Sequence, residues 1–182
     1  MFKPAGRIVN RLAAGVLVTA LGLTLCSCMS SSSLDQLSGA TASGSPFAQN
    51  LFKNYAYLAR SFGPATTTSD GMLDFGLFGS SSSDTNDLAE AFATKALIAA
   101  KGVEVEPEPA NSSAATALRD RLTRALADGK ERFAIDAARA QADFDCWMLN
   151  GSVDAQRGAA EQCHTSFNST LARLEQDTRR RG

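Results

Sequence analysis

With 44% hydrophobic but only 7% aromatic residues, this chain of 182 residues has room for one modest domain. That composition suits helices packed through alanine and disfavours a β-sandwich. Formal charge is −1, and setting aside residues 1–27 leaves fifteen basic against nineteen acidic residues, a net −4 that excludes the electrostatic footprint of a nucleic-acid binder.

The first element is a targeting segment. Lys3, Arg7 and Arg11 precede an apolar run over residues 12–25, the positive and hydrophobic regions of a secretory signal peptide. At 1.5 Å per residue the run would span about 21 Å, short of a bilayer core of about 30 Å. Cleavage is therefore expected rather than a stable span. The run ends in Leu25-Cys26-Ser27-Cys28, which resembles a bacterial lipobox. Leu25 stands three before Cys28 and the small Ser27 just before it; Cys26 departs from the Ala, Ser or Thr usual at its place. The resemblance implies diacylglycerol on the Cys28 sulfur and a fatty acid on its amine, enough for stable anchoring. Met29 follows, where an aspartate would favour inner-membrane retention. The expected address is thus the periplasmic face of the outer membrane. Residues 28–44, rich in Ser, Gly and Ala, read as a flexible tether reaching about 20–25 Å.

Helix signals begin at Ser45, an N-cap followed by Pro46, and the first helix runs to Phe62 before Gly63-Pro64. Phe47, Leu51, Tyr55, Leu58 and Phe62 form its apolar stripe. The irregular stretch over residues 63–83 has an apolar centre: Met72, Leu73, Phe75, Leu77 and Phe78. Folded back, these five would lid a helical core; exposed, they would make a docking patch for a partner or the bilayer surface. Asp84 caps the next helix, which stops at Gly102, with Leu88, Phe92, Ala96 and Ala99 inward. A proline-bearing connector follows. A third helix, started by Asn111 or a neighbouring serine, runs to Gly129 with Leu118, Leu122, Ala125 and Leu126 inward. The fourth covers about 130–149, with Phe133, Ala137, Ala140, Phe144 and Trp147 on one stripe. Asn150 to Ser152 turns the chain into a fifth helix over about 154–175, carrying Cys163, Phe167, Leu171 and Leu174 inward. No strand pattern is found. The fold expected is an all-α bundle of about five helices over residues 45–176, with a basic tail at 177–182.

Three segments, Phe92-Ala93-x-Lys95-Ala96, Phe144-Asp145-Cys146-Trp147 and the helix bearing Cys163, together resemble the helical region that precedes the peptidoglycan-binding domain in alphaproteobacterial OmpA-family lipoproteins. The resemblance covers roughly residues 45–175 and implies an envelope location and a helical fold. Nothing in this chain resembles the downstream domain, so peptidoglycan binding is not expected of it.

Cys146 and Cys163 flank the last predicted turn, and in an oxidising periplasm the natural reading is a disulfide that staples the helical hairpin. A loop of that size is worth about 3 kcal/mol. Cys146 lies about 200° round its helix from Phe144, so the fifth helix should pack on the flank of the fourth. His164 beside Cys163 invites a metal or nucleophile, but one histidine and a bonded cysteine are too few zinc ligands; no metal, no cofactor and no catalytic residue are expected. Asp136, Asp143 and Asp145 read as solvated acids, with hydrogen bonding near the hairpin open to Asp145. Arg179, Arg180 and Arg181 complement a helix C-terminus. The function expected is that of a non-enzymatic envelope lipoprotein that binds a protein partner. The alternative is a periplasmic carrier or chaperone holding an apolar ligand between its helices.

Overall fold

The computed structural model describes residues 32–62 and 83–181, which build an all-helical bundle of six helices. Cys28 and the segment containing Met72, Leu73, Phe75, Leu77 and Phe78 lie outside the described residues. In chain order the helices are α1 (Ser33–Leu37), α2 (Pro46–Phe62), α3 (Ser83–Ala100), α4 (Ser113–Gly129), α5 (Ala134–Gly151) and α6 (Arg157–Arg181), with a 3-10 turn over Asp154–Gln156 ahead of α6. Among the described residues no helix is long and apolar enough to cross a membrane.

Local chemistry explains most boundaries. Ser45 caps α2 through its hydroxyl, which accepts from the Ala48 N–H at 3.2 Å, and Pro46 takes the first helical position. Ser112 caps α4 in the same way, accepting from Ala115 N–H. α3 begins at Ser83, so Asp84 falls in its first turn, where a carboxylate still meets the positive end of the helix. The end of α3 is a Schellman motif: Gly102, at φ +71°, donates to the Ala99 carbonyl, and Val103 to Ile98. α6 runs well past residue 175, so the arginines expected in a tail belong to its last turns.

The expected tether is corrected from residue 32 onward. Residues 33–37 form α1, which packs on α3 and buries Leu37 to 2% exposure. The Glu90 carboxylate of α3 accepts from the N–H groups of both Ser33 and Leu34, at 2.8 and 3.3 Å. Farther on, Ser43 donates to the Ala100 carbonyl from both its N–H and its hydroxyl. There the chain crosses α3's end so closely that a Cβ on Gly44, itself at φ +88°, would stand 2.8 Å from Gly102 Cα. Gly44→Ala therefore meets both a left-handed backbone and a backbone clash. It is expected to destabilise the protein by about 1–3 kcal/mol in a denaturant titration, whereas Gly39→Ala, whose Cβ would meet nothing within 4 Å, should be neutral.

α5 is the axis of the bundle, packed against α2, α4 and α6. Ala137, Ala138 and every residue of 140–146 are buried. Its alanines let neighbouring backbones approach from several sides. The core around it holds Tyr55, Phe92, Phe144 and Phe167, all fully buried; Phe144 sits 5.3 Å from Phe167 and 5.9 Å from Trp147 between ring centroids.

Candidate functional site

Because α2 and α6 both pack onto α5, they leave a groove between them whose floor is formed by small residues of α5. This groove, of about 360 Å³, is walled by Tyr57, Leu58 and Phe62 from α2 and by Ala159, Gln162 and Cys163 from α6, with Ala142 and Cys146 beneath. A second, more polar lobe of about 470 Å³ shares Asn54, Arg139 and Ser166 with the first and adds Ile135, Asp136 and Arg173. Tyr57, at 67% exposure, and Ile135, at 70%, stand open at the two lobes. Apolar walls with a few placed polar groups are what a small-ligand or helix-binding cleft requires.

Ion pairs set the electrostatics of the groove. Arg139 reaches Asp143 one turn away at 2.9 Å, and the Ser166 hydroxyl donates to the same carboxylate at 2.6 Å. Burial pushes the Asp143 carboxyl above its ordinary value, and these two partners pull it part of the way back. Arg173 pairs with Asp136 at 2.8 Å. The reading of these acids as solvated is corrected for Asp143 and Asp145, which are 4% and 0% exposed; Asp136 alone is partly open.

Asp145 belongs to a second cluster, away from the groove. Its carboxylate accepts from the Tyr55 hydroxyl and pairs with the Lys95 ammonium (3.0 Å) on one oxygen, and accepts from the Glu108 N–H (2.7 Å) on the other. Gln141 donates to Tyr55 and to the Val105 carbonyl. Lys95 also pairs with Glu108 at 2.9 Å, and Arg119 donates to the Pro107 and Glu108 carbonyls. The cluster thus satisfies the backbone of the connector between α3 and α4, which has no secondary structure of its own to do so. Burial raises the Asp145 pKa to about 6 despite its cation and its donors. Burial also raises the Tyr55 phenol well above its ordinary value, with Asp145 adding to the effect. For Lys95, burial works against the charge, but Asp145 and Glu108 outweigh it and hold the ammonium more firmly protonated than usual.

Cys146 and Cys163 are joined by a disulfide with Cα atoms 5.8 Å apart. α6 covers the Cys146 flank of α5 as expected, and it also reaches the main stripe, since Phe167 meets Phe144. His164 stacks on Trp147 at 4.0 Å between centroids. Among the described residues no three His, Cys, Asp or Glu side chains gather as metal ligands.

Sequence reasoning places Cys146 and Cys163 correctly but misses the polar cluster. Lys95 and Asp145 appear there in two separate motifs, with Asp145 also read as a solvated acid, yet they meet in the fold. Tyr55 is read as plain core, while Glu108 and Gln141 pass unnoticed. Comparisons with protein families, with curated proteins and with solved structures find no match to this chain.

Proposed function

We propose that this chain is a lipid-anchored protein of the bacterial envelope, held through Cys28 at the periplasmic face of the outer membrane. We propose further that it acts without catalysis, as an adaptor that receives part of a protein partner in the α2–α5–α6 groove. The observation that carries the adaptor reading is that groove, an apolar cleft with Tyr57 standing open at its rim. An exposed tyrosine beside an apolar pocket is a common anchor of protein interfaces. The buried Lys95–Asp145 cluster suits a structural role better than a catalytic one, because none of its members lines the groove. The lipobox-like Leu25 to Cys28 and the resemblance to the OmpA-family helical region support the envelope address, and a disulfide suits an oxidising compartment.

Cys28→Ser is expected to move the protein from the membrane pellet to the soluble fraction, or to leave unprocessed precursor, whereas Cys26→Ser leaves it in the pellet. Acyl chains found by mass spectrometry on the Cys28→Ser protein would overturn the anchor. For the adaptor, a photo-crosslinking side chain in place of Tyr57 should give a discrete envelope-protein adduct in intact cells, absent when the same group replaces Asp120 on α4. The size of the apolar lobe favours one second reading, a carrier of an apolar ligand. Acyl lipid retained in the groove after native purification, with no adduct at Tyr57, would replace the adaptor with that carrier.

A further inference from the structure

The disulfide lies in the groove and not sealed within the core. Both cysteines line the cavity, yet they differ in access: Cys146 is 0% exposed, while Cys163, on the α6 wall, is partly open. Asn150, itself fully buried, donates from Nδ2 to the Cys146 sulfur at 3.3 Å and to the Cys146 carbonyl at 2.8 Å. Among the described residues, Asn150 Oδ1 is the buried side-chain polar atom without a hydrogen-bond partner. A fully buried amide is thus spent on one sulfur of the bond, with an acceptor left over beside it.

We propose that Cys146–Cys163 is an exchangeable disulfide, opened by a thiol compound that enters through the α2–α5–α6 groove, and that Cys163 carries the resulting mixed disulfide. The incoming thiolate bonds to the Cys163 sulfur while the bond between the two protein sulfurs breaks. The electron pair leaves on Cys146, which becomes a thiolate and then takes a proton from water. The attacking sulfur is oxidised and the Cys146 sulfur reduced, so no further oxidant is needed. The reverse step, attack of the Cys146 thiolate on Cys163, expels the thiol and restores the bond.

Two features fix this direction. Exchange needs access to the sulfur under attack, which Cys163 has and Cys146 lacks. A leaving thiolate departs faster when it is stabilised, and the Asn150 N–H is already placed on the Cys146 sulfur. Opening the bond also leaves α5 and α6 together, because Phe144–Phe167, Arg173–Asp136 and Ser166–Asp143 do not pass through it.

The test uses the purified full chain in mild detergent with millimolar reduced glutathione, quenched by acid, alkylated and mapped by mass spectrometry. Glutathione is expected on Cys163, with the alkylating group on Cys146. Asn150→Ala should slow adduct formation by about tenfold, the worth of a hydrogen bond to a charged sulfur. Because that variant could also loosen the fold, Ala159→Phe provides a second arm. It fills the mouth of the groove and should slow exchange with the melting temperature unchanged. Glutathione on Cys146, or equal labelling of both cysteines, would overturn the proposal. So would exchange that occurs only in denaturant, or a rate indifferent to Ala159→Phe.

Discussion

Lys95→Met is expected to destabilise the protein by about 3–5 kcal/mol at pH 7, the usual cost of removing one partner of a buried ion pair. In a domain of this size that should lower the melting temperature by about 10 °C or more. Asp145 would be left at 0% exposure with the Tyr55 hydroxyl and the Glu108 N–H but no cation. The loss should also depend on pH, with a sign opposite to that of an ordinary salt-bridged aspartate. In the native protein burial already lifts Asp145 to about 6, above its ordinary 3.8. A carboxyl whose folded value lies above its unfolded one contributes stability that is complete at pH below the unfolded value. That stability is lost as pH rises through the folded value. Lys95 supplies the largest of the effects holding the value down, so its removal lifts the value further. Lys95→Met should accordingly be more stable at pH 5 than at pH 7, by a wider margin than the native protein. Adding Asp145→Asn should erase that difference. A variant that melts like the native protein at pH 7, or that loses stability on going to pH 5, would sink this account of the cluster.

Phe144→Ala should cost a comparable 3–5 kcal/mol, the range for a buried phenylalanine truncated in a core that cannot collapse around the gap. Its ring is fully buried on the central helix and packs against Phe167 and Trp147. Three helices around α5 limit how far the space can close. The disulfide would remain, so the loss should appear in urea titration as a shifted midpoint with an unchanged slope. Ile135→Ala, in the first turn of the same helix but 70% exposed, should stay within about 0.5 kcal/mol of the native protein. A loss below about 1.5 kcal/mol at Phe144 would mean that the core repacks more freely than its geometry implies.

The long helices are legible in the sequence because their signals are local. Ser45-Pro46 and Ser112 mark starts and Gly102 a stop, and each acts within a turn of itself. The hairpin disulfide is legible for a similar reason, since its two cysteines flank one short turn. The short α1 is not. Five residues make barely more than one turn, too few for periodicity to register in a serine-rich tract. Leu34 and Leu37 at a three-residue step, with Ser32 capping, are the faint mark it leaves. Asp145 fails for a different reason. Whether a carboxylate is solvated depends on what packs around its helix, and Lys95, Tyr55 and Glu108 come from three other segments. One signal was present: at 100° per residue Asp145 falls on the face of Ala138, Ala142 and Met148, away from the polar stripe of Asp136, Arg139 and Asp143. An acid on such a face has to be enclosed and partnered. The groove was not legible at all, because it arises from two helices sharing a third and failing to meet.

The same cluster has a consequence for how the molecule comes apart. Tyr55, Lys95, Arg119 and Asp145 belong to α2, α3, α4 and α5, and the connector they hold links α3 to α4. No one of these helices can swing out without leaving an enclosed charge or a backbone group stranded on the others. Cheap fraying of a single element is therefore suppressed, and the helices are driven to open together, as one cooperative unit. A connector without regular structure, which would ordinarily be the first place to loosen, is fastened into that unit and opens only with it.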